Sequence, residues 1–198
     1  MATEDSKLEV LHDHYKDTFS ILQGHLQLRD RIFVFILLAF TVILFQICSP
    51  EGSGQAISQF VMSKLGLNSP VDTSFLGTII WFATLALVVR YFQAVVYIER
   101  QYGYVHQLEE HLNRAYGSKV FTREGKSYLS RYPTFSRWTA FLYGVIFPGL
   151  LCMVVVVKIL FDWSQPSGGV VQLWVNQIIS GSILLSTGLY LLWIHCKK

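Results

Sequence analysis

This 198-residue sequence predicts an all-α fold. The expected architecture is a four-helix transmembrane protein with an N-terminal amphipathic helix and a cytoplasmic helical stalk that extends spans 1 and 2. Three observations predict it: the apolar residues come in long uncharged blocks, helical spacing continues past the ends of two of those blocks, and the basic residues lie almost entirely on one side of them. A soluble domain disperses its apolar residues with helical or strand periodicity. Here Ile32 to Cys48 holds only Thr41 and Gln46 as polar residues, while Phe75–Val89, Trp138–Val157 and Val170–Ile194 carry no charge. A helix needs about 17–25 such residues to cross ~30 Å of hydrocarbon. Barrel strands alternate polar and apolar and do not produce such runs.

Residues 1–31 form a cytoplasmic amphipathic helix, because Leu8, Leu11, Tyr15, Phe19, Leu22 and Leu26 recur at steps of three and four. The segment is polar and holds both charge signs, so it is not read as a cleavable signal. Span 1 (32–48) is then expected to direct insertion. The outer loop (49–72) is bracketed by proline and glycine, and Ile57, Phe60, Val61 and Leu65 share one face of a short interfacial helix.

Span 2 (73–97) reaches Arg90 after an uncharged stretch of about 22 Å. That depth suits an arginine snorkelling to headgroups, although an arginine lining a water-filled vestibule fits the same position. Beyond it Tyr91, Val95, Ile98, Tyr102, Val105, Leu112 and Tyr116 keep heptad spacing, broken once by Glu109, with Leu108 able to cover the gap. This seam needs covering by the N-terminal helix, by a second copy, or by another protein. The stalk and its following loop occupy 98–137. In the loop Arg123, Lys126, Arg131 and Arg137 interleave with aromatic residues, a pattern that binds anionic headgroups and equally suits an acidic partner or nucleotide ligand.

Span 3 (138–161) carries small residues at four-residue steps up to Gly144 and Pro148, where a kink is expected. Lys158 and Asp162, spaced i,i+4 near its outer end, are expected to snorkel together. A second outer loop (162–169) leads to span 4 (170–195) and a short tail (196–198). Asn176, Ser180 and Thr187 form a polar stripe on span 4, either packed between helices or lining a pore, and the neighbouring Gly181 and Gly188 favour close packing.

Of the sixteen lysines and arginines only Lys64 and Lys158 fall on the outer side, which places both termini in the cytoplasm of a multi-pass protein. The net charge of +3 does not suggest direct nucleic-acid binding. Cys48, Cys152 and Cys196 sit at different membrane levels, so they suggest no disulfide.

No catalytic, cofactor-binding or metal-binding residues are assigned. "HQLEEH" and "HDH" place histidines and carboxylates together, but His106 and His111 point about 140° apart around a helix. "GSG" at 52–54 has no strand before it and is no dinucleotide motif.

The run "HDHYKDTFSILQGHLQLRDRIFVFILL", a polar helix entering span 1, together with the stalk after span 2, resembles the membrane subunits of bacterial anti-phage defence systems. The Kiwa membrane subunit and the small two-span membrane effectors are the families concerned. The resemblance implies a bacterial inner-membrane homo-oligomer in contact with lipid. It also implies a cytoplasmic protein partner and a role in sensing infection or perturbing the membrane. Two functions follow as expectations: a non-enzymatic scaffold or sensor that docks the partner, or a pore that depolarises the cell.

Overall fold

The computed structural model describes residues 4–66, 72–117, 138, 141–165 and 169–196. Every regular element among them is helical: α1 (Glu4–Cys48), α2 (Pro50–Leu65), α3 (Thr73–Ala115), α4 (Phe147–Ser164) and α5 (Val170–Cys196). Among the described residues four stretches are long and apolar enough to cross a membrane: Leu8–Cys48, Thr73–Ala115, Leu142–Ser164 and Val170–Ile194.

Helix α1 runs unbroken for 45 residues and α3 for 43. At 1.5 Å per residue these are about 68 and 65 Å, more than twice the hydrocarbon thickness. Gly24 and Gly103 interrupt neither helix. Asp72 caps the start of α3, its Oδ1 accepting the Ser74 amide at 2.9 Å. Helix α2 begins at Pro50, where a missing N–H costs nothing, and ends at Gly66, whose φ of 64° is the left-handed conformation glycine takes without strain.

A π-helical turn, Leu142–Ile146, leads into α4, and Pro148 stands in the first turn that follows. A proline cannot donate to the preceding turn, and the wider turn absorbs the lost bond. The irregular turn lies just before Pro148, the position at which a kink is expected.

The chain divides into two compact units, Met1–Arg31 with Gln93–Tyr143, and Ile32–Phe92 with Gly144–Lys198. The first has a core of Leu22, Ile98 and Val105, against which Tyr15 and Leu26 pack. In the second, Ile36, Ile43, Trp81, Val88, Leu151, Val155 and Ile183 are buried, whereas Phe82, Met153, Leu160, Ile178 and Leu185 are exposed. Large apolar side chains pointing outward are what lipid requires of a spanning bundle. Rings tie this unit together: Phe33, Tyr91 and Phe147 meet edge-on or tilted, with Tyr91 and Phe147 centroids 5.0 Å apart, and Phe92 stacks on Tyr190 at 4.3 Å.

Candidate functional site

The first unit pairs the beginning of α1 with the end of α3. Helix α1 offers an apolar face because its leucines and aromatics recur at helical spacing, and α3 offers its heptad seam. Ile98, Val105 and Leu112 are fully or nearly fully buried, with Leu108 beside them. Leu22 of the same chain joins Ile98 and Val105 in the core. Of the three coverings the seam could have, the chain itself supplies one, the N-terminal helix. Tyr91 is buried within the other unit, Val95 is half-buried, and Tyr102 and Tyr116 are exposed, so the predicted seam does not act as one continuous stripe.

Polar contacts fix the register of this pair. The Tyr15 hydroxyl donates to Glu109 Oε1 at 3.1 Å, and Glu109 is 2% exposed. The residue that breaks the heptad is therefore an interior acceptor rather than a flaw in the seam. His14 Nε2 and the Tyr104 hydroxyl are 2.8 Å apart, and the His25 ring lies 4.0 Å from that of Tyr97. From His14 and Tyr15 to His25 on α1, the α3 partner falls from Tyr104 and Glu109 to Tyr97, the order of an antiparallel helical hairpin. His106 is half-buried, while Glu110 and His111 are exposed. Among the described residues no three potential metal ligands converge.

Arg90 is exposed on α3. The basic loop residues Arg123, Lys126, Arg131 and Arg137 lie outside the described residues. In the first unit the Arg29 guanidinium sits 5.4 Å over the Tyr143 ring while it donates to Asp30 at 2.7 Å.

In the second unit the span-4 stripe is turned inward. Asn176, Ser180 and Thr187 are all buried. Thr187 bonds back to the Ile183 carbonyl at 2.8 Å, and Ser180 to that of Asn176 at the same distance. Ser180 also accepts from the Trp81 indole at 3.0 Å. The Asn176 carbonyl oxygen accepts from the Thr78 hydroxyl at 3.0 Å, and Gln172 donates to Thr78 at 2.9 Å.

This network continues into α4. Asn176 Nδ2 donates to Asp162 Oδ2 at 3.3 Å, and the Lys158 ammonium donates to Asp162 Oδ1. Lys158 and Asp162 are not spread toward solvent as their spacing suggested; their side chains are 10% and 6% exposed. An ion pair inside a spanning bundle survives when its remaining lone pairs are satisfied, and Asn176 does that for Asp162.

Among the described residues Gly181 and Gly188 are not points of close approach to another helix, since a Cβ at either would meet nothing beyond its own stretch of helix within 4 Å. The stripe packs through hydrogen bonds instead. Thr78, Trp81 and Gln172 were missed by sequence reasoning; their signal was polar residues at helical spacing in otherwise apolar spans.

No protein-family model matches this chain, and no curated protein or solved structure matches it.

Proposed function

We propose that this chain is a non-enzymatic scaffold or sensor of a bacterial inner membrane, with both termini cytoplasmic, which presents its helical hairpin to a cytoplasmic protein partner. The observation that carries the reading is the surplus of helix. Membrane anchoring needs about 20 residues per span. Helices α1 and α3 are each more than twice that length, and their extra turns share a core, Leu22 with Ile98 and Val105, and cross-helix bonds such as Tyr15 to Glu109. A hairpin with its own packing is a preorganised surface, which lowers the ordering cost of docking. With the seam filled from within, a partner meets the outward residues, among them Val10, Ile21, Tyr102 and Tyr104, all more than a third exposed. The role in antiviral defence and the homo-oligomeric state rest on the architectural resemblance alone.

The pore reading has less support. Asn176, Ser180 and Thr187 make hydrogen bonds inside a single chain, which supports helix packing over a channel lining.

Site-specific photo-crosslinking in cells from positions 10, 21 and 102 tests the scaffold. A single protein crosslinked from all three, and lost in an Ile21→Glu, Tyr102→Glu variant that still inserts, is the expected result. Crosslinks to lipid alone, together with ion conductance of the purified protein in planar bilayers, would reject the scaffold and favour the pore.

A further inference from the structure

The loop end of the second unit contains a cavity of about 120 Å³, several times the space one water needs. Its wall draws on Gln46 of α1, Ser53 of α2, Thr78 of α3, Lys158 of α4, and Gln172 and Asn176 of α5. All lie within about two turns of the helix ends on that side, the level at which headgroups meet hydrocarbon. Pro50 and Gln165, also on the lining, are exposed, so the cavity communicates with the surroundings of the chain.

The charge facing this space is one-sided. Lys158 lines it and Asp162 does not. Asp162 is occupied on both oxygens, by Lys158 and by Asn176. An ammonium has three donors, and among the described residues Lys158 donates to Asp162. Lys158 therefore keeps donor capacity beside a cavity whose other polar groups named here are amides and hydroxyls. Those side chains adapt to either sense of hydrogen bond; Lys158 donates only.

We propose that this cavity binds a phosphate oxyanion, held by the Lys158 ammonium with the Gln46 amide as a secondary donor. The phosphate belongs either to a phospholipid headgroup entering from the interface or to a free phosphorylated solute. Asp162 acts as a positioning residue that holds the ammonium at the wall, since a lysine without it would extend toward bulk headgroups. The inference does not depend on the partner-docking reading.

The test uses the full chain purified in a phosphate-free maltoside detergent. Inorganic phosphate binding is followed by calorimetry, and retention of phosphatidylglycerol through delipidation by native mass spectrometry. Lys158→Met alone strands a buried carboxylate, so the informative variant is Lys158→Met with Asp162→Asn, which removes both charges. A second variant, Gly77→Val, narrows the cavity against Gln46, whose amide lies 3.5 Å from a Cβ at that position, and leaves the ion pair in place.

Loss of a charge-assisted contact is expected to weaken binding about tenfold or more in the charge-free variant; Gly77→Val weakens it by occupying the space beside Gln46, while Lys158→Arg with Asp162 intact retains it. Saturable phosphate binding identifies a free solute. Phosphatidylglycerol retention that phosphate does not displace identifies a headgroup. The proposal is overturned if neither probe binds the wild-type chain, or if the charge-free variant binds either probe as well as the wild type does.

Discussion

The buried pair Lys158–Asp162 allows a test of whether these side chains lie inside the bundle or reach the interface. Lys158→Met keeps most of the side-chain volume and removes the ammonium. Asp162 is then left with the Asn176 amide donating to it at 3.3 Å, in a position only 6% exposed. Removing one partner of a buried ion pair costs about 3–5 kcal/mol, because the other charge is left uncompensated. Adding Asp162→Asn removes that charge, and the new amide still accepts from Asn176. The double variant should therefore fall within about 1 kcal/mol of wild type, since replacing both members of a buried pair is often neutral.

The ordering is unusual, with the single variant less stable than the double. At roughly 2–4 °C per kcal/mol for a chain of this size, Lys158→Met lowers the unfolding midpoint by about 6–20 °C and the second change restores most of it. Thermal unfolding in detergent, followed by the fluorescence of buried Trp81 and checked by SDS titration with far-UV circular dichroism, reads both steps. Equal midpoints for wild type, single and double variants would refute the reasoning. They would mean the two charges snorkel to headgroups, where an exposed pair contributes at most about 1 kcal/mol.

Three further outcomes are expected. Val105→Asp places a carboxylate at a position of 0% exposure, at a cost of several kcal/mol; amide exchange across residues 10–28 and 96–112 should rise sharply while the protein still inserts, whereas exposed Glu110→Ala leaves exchange unchanged. Tyr15→Phe removes the phenol that donates to Glu109, which costs about 1–3 kcal/mol for a bond to a charged acceptor; exchange should rise in the hairpin and remain as in wild type at residues 150–190. In a background with the native cysteines replaced by serine, Gln55→Cys should react with an impermeant maleimide in intact spheroplasts and Ala115→Cys only after permeabilisation, and the reverse order would invert the proposed topology.

The sequence made the spans legible because uncharged blocks of that length have few uses besides crossing a membrane. The continuity of α1 and α3 was legible for a similar reason. A single glycine such as Gly24 or Gly103 costs a helix about 1 kcal/mol, too little to break one that is held elsewhere by packing. Periodicity showed that Ile98, Val105 and Leu112 share a face. It could not show what covers that face, since a second copy and the chain's own α1 ask for the same spacing. Glu109 looked like a break because heptad counting scores side chains singly; its meaning depends on Tyr15, 94 positions earlier.

The same limit explains Lys158 and Asp162. An i,i+4 pair near a helix end has identical spacing whether it snorkels or is buried, and the two outcomes differ only in what the neighbouring helices offer. Burial needs an extra donor for the carboxylate, a way to satisfy that donor's other end, and apolar bulk to exclude lipid headgroups. Asn176 donates to Asp162, Thr78 and Gln172 complete the chain behind it, and Trp81 closes the level below through Ser180. Each of these residues was visible as a polar group in an apolar span. Taken one helix at a time, each had a sufficient local explanation, a hydroxyl bonded to its own backbone or an amide near an interface. An unpaired amide inside a span is costly on its own. Asn176 and the Lys158–Asp162 pair therefore solve each other's problem, and a polar residue on one span is best read as a demand on the others.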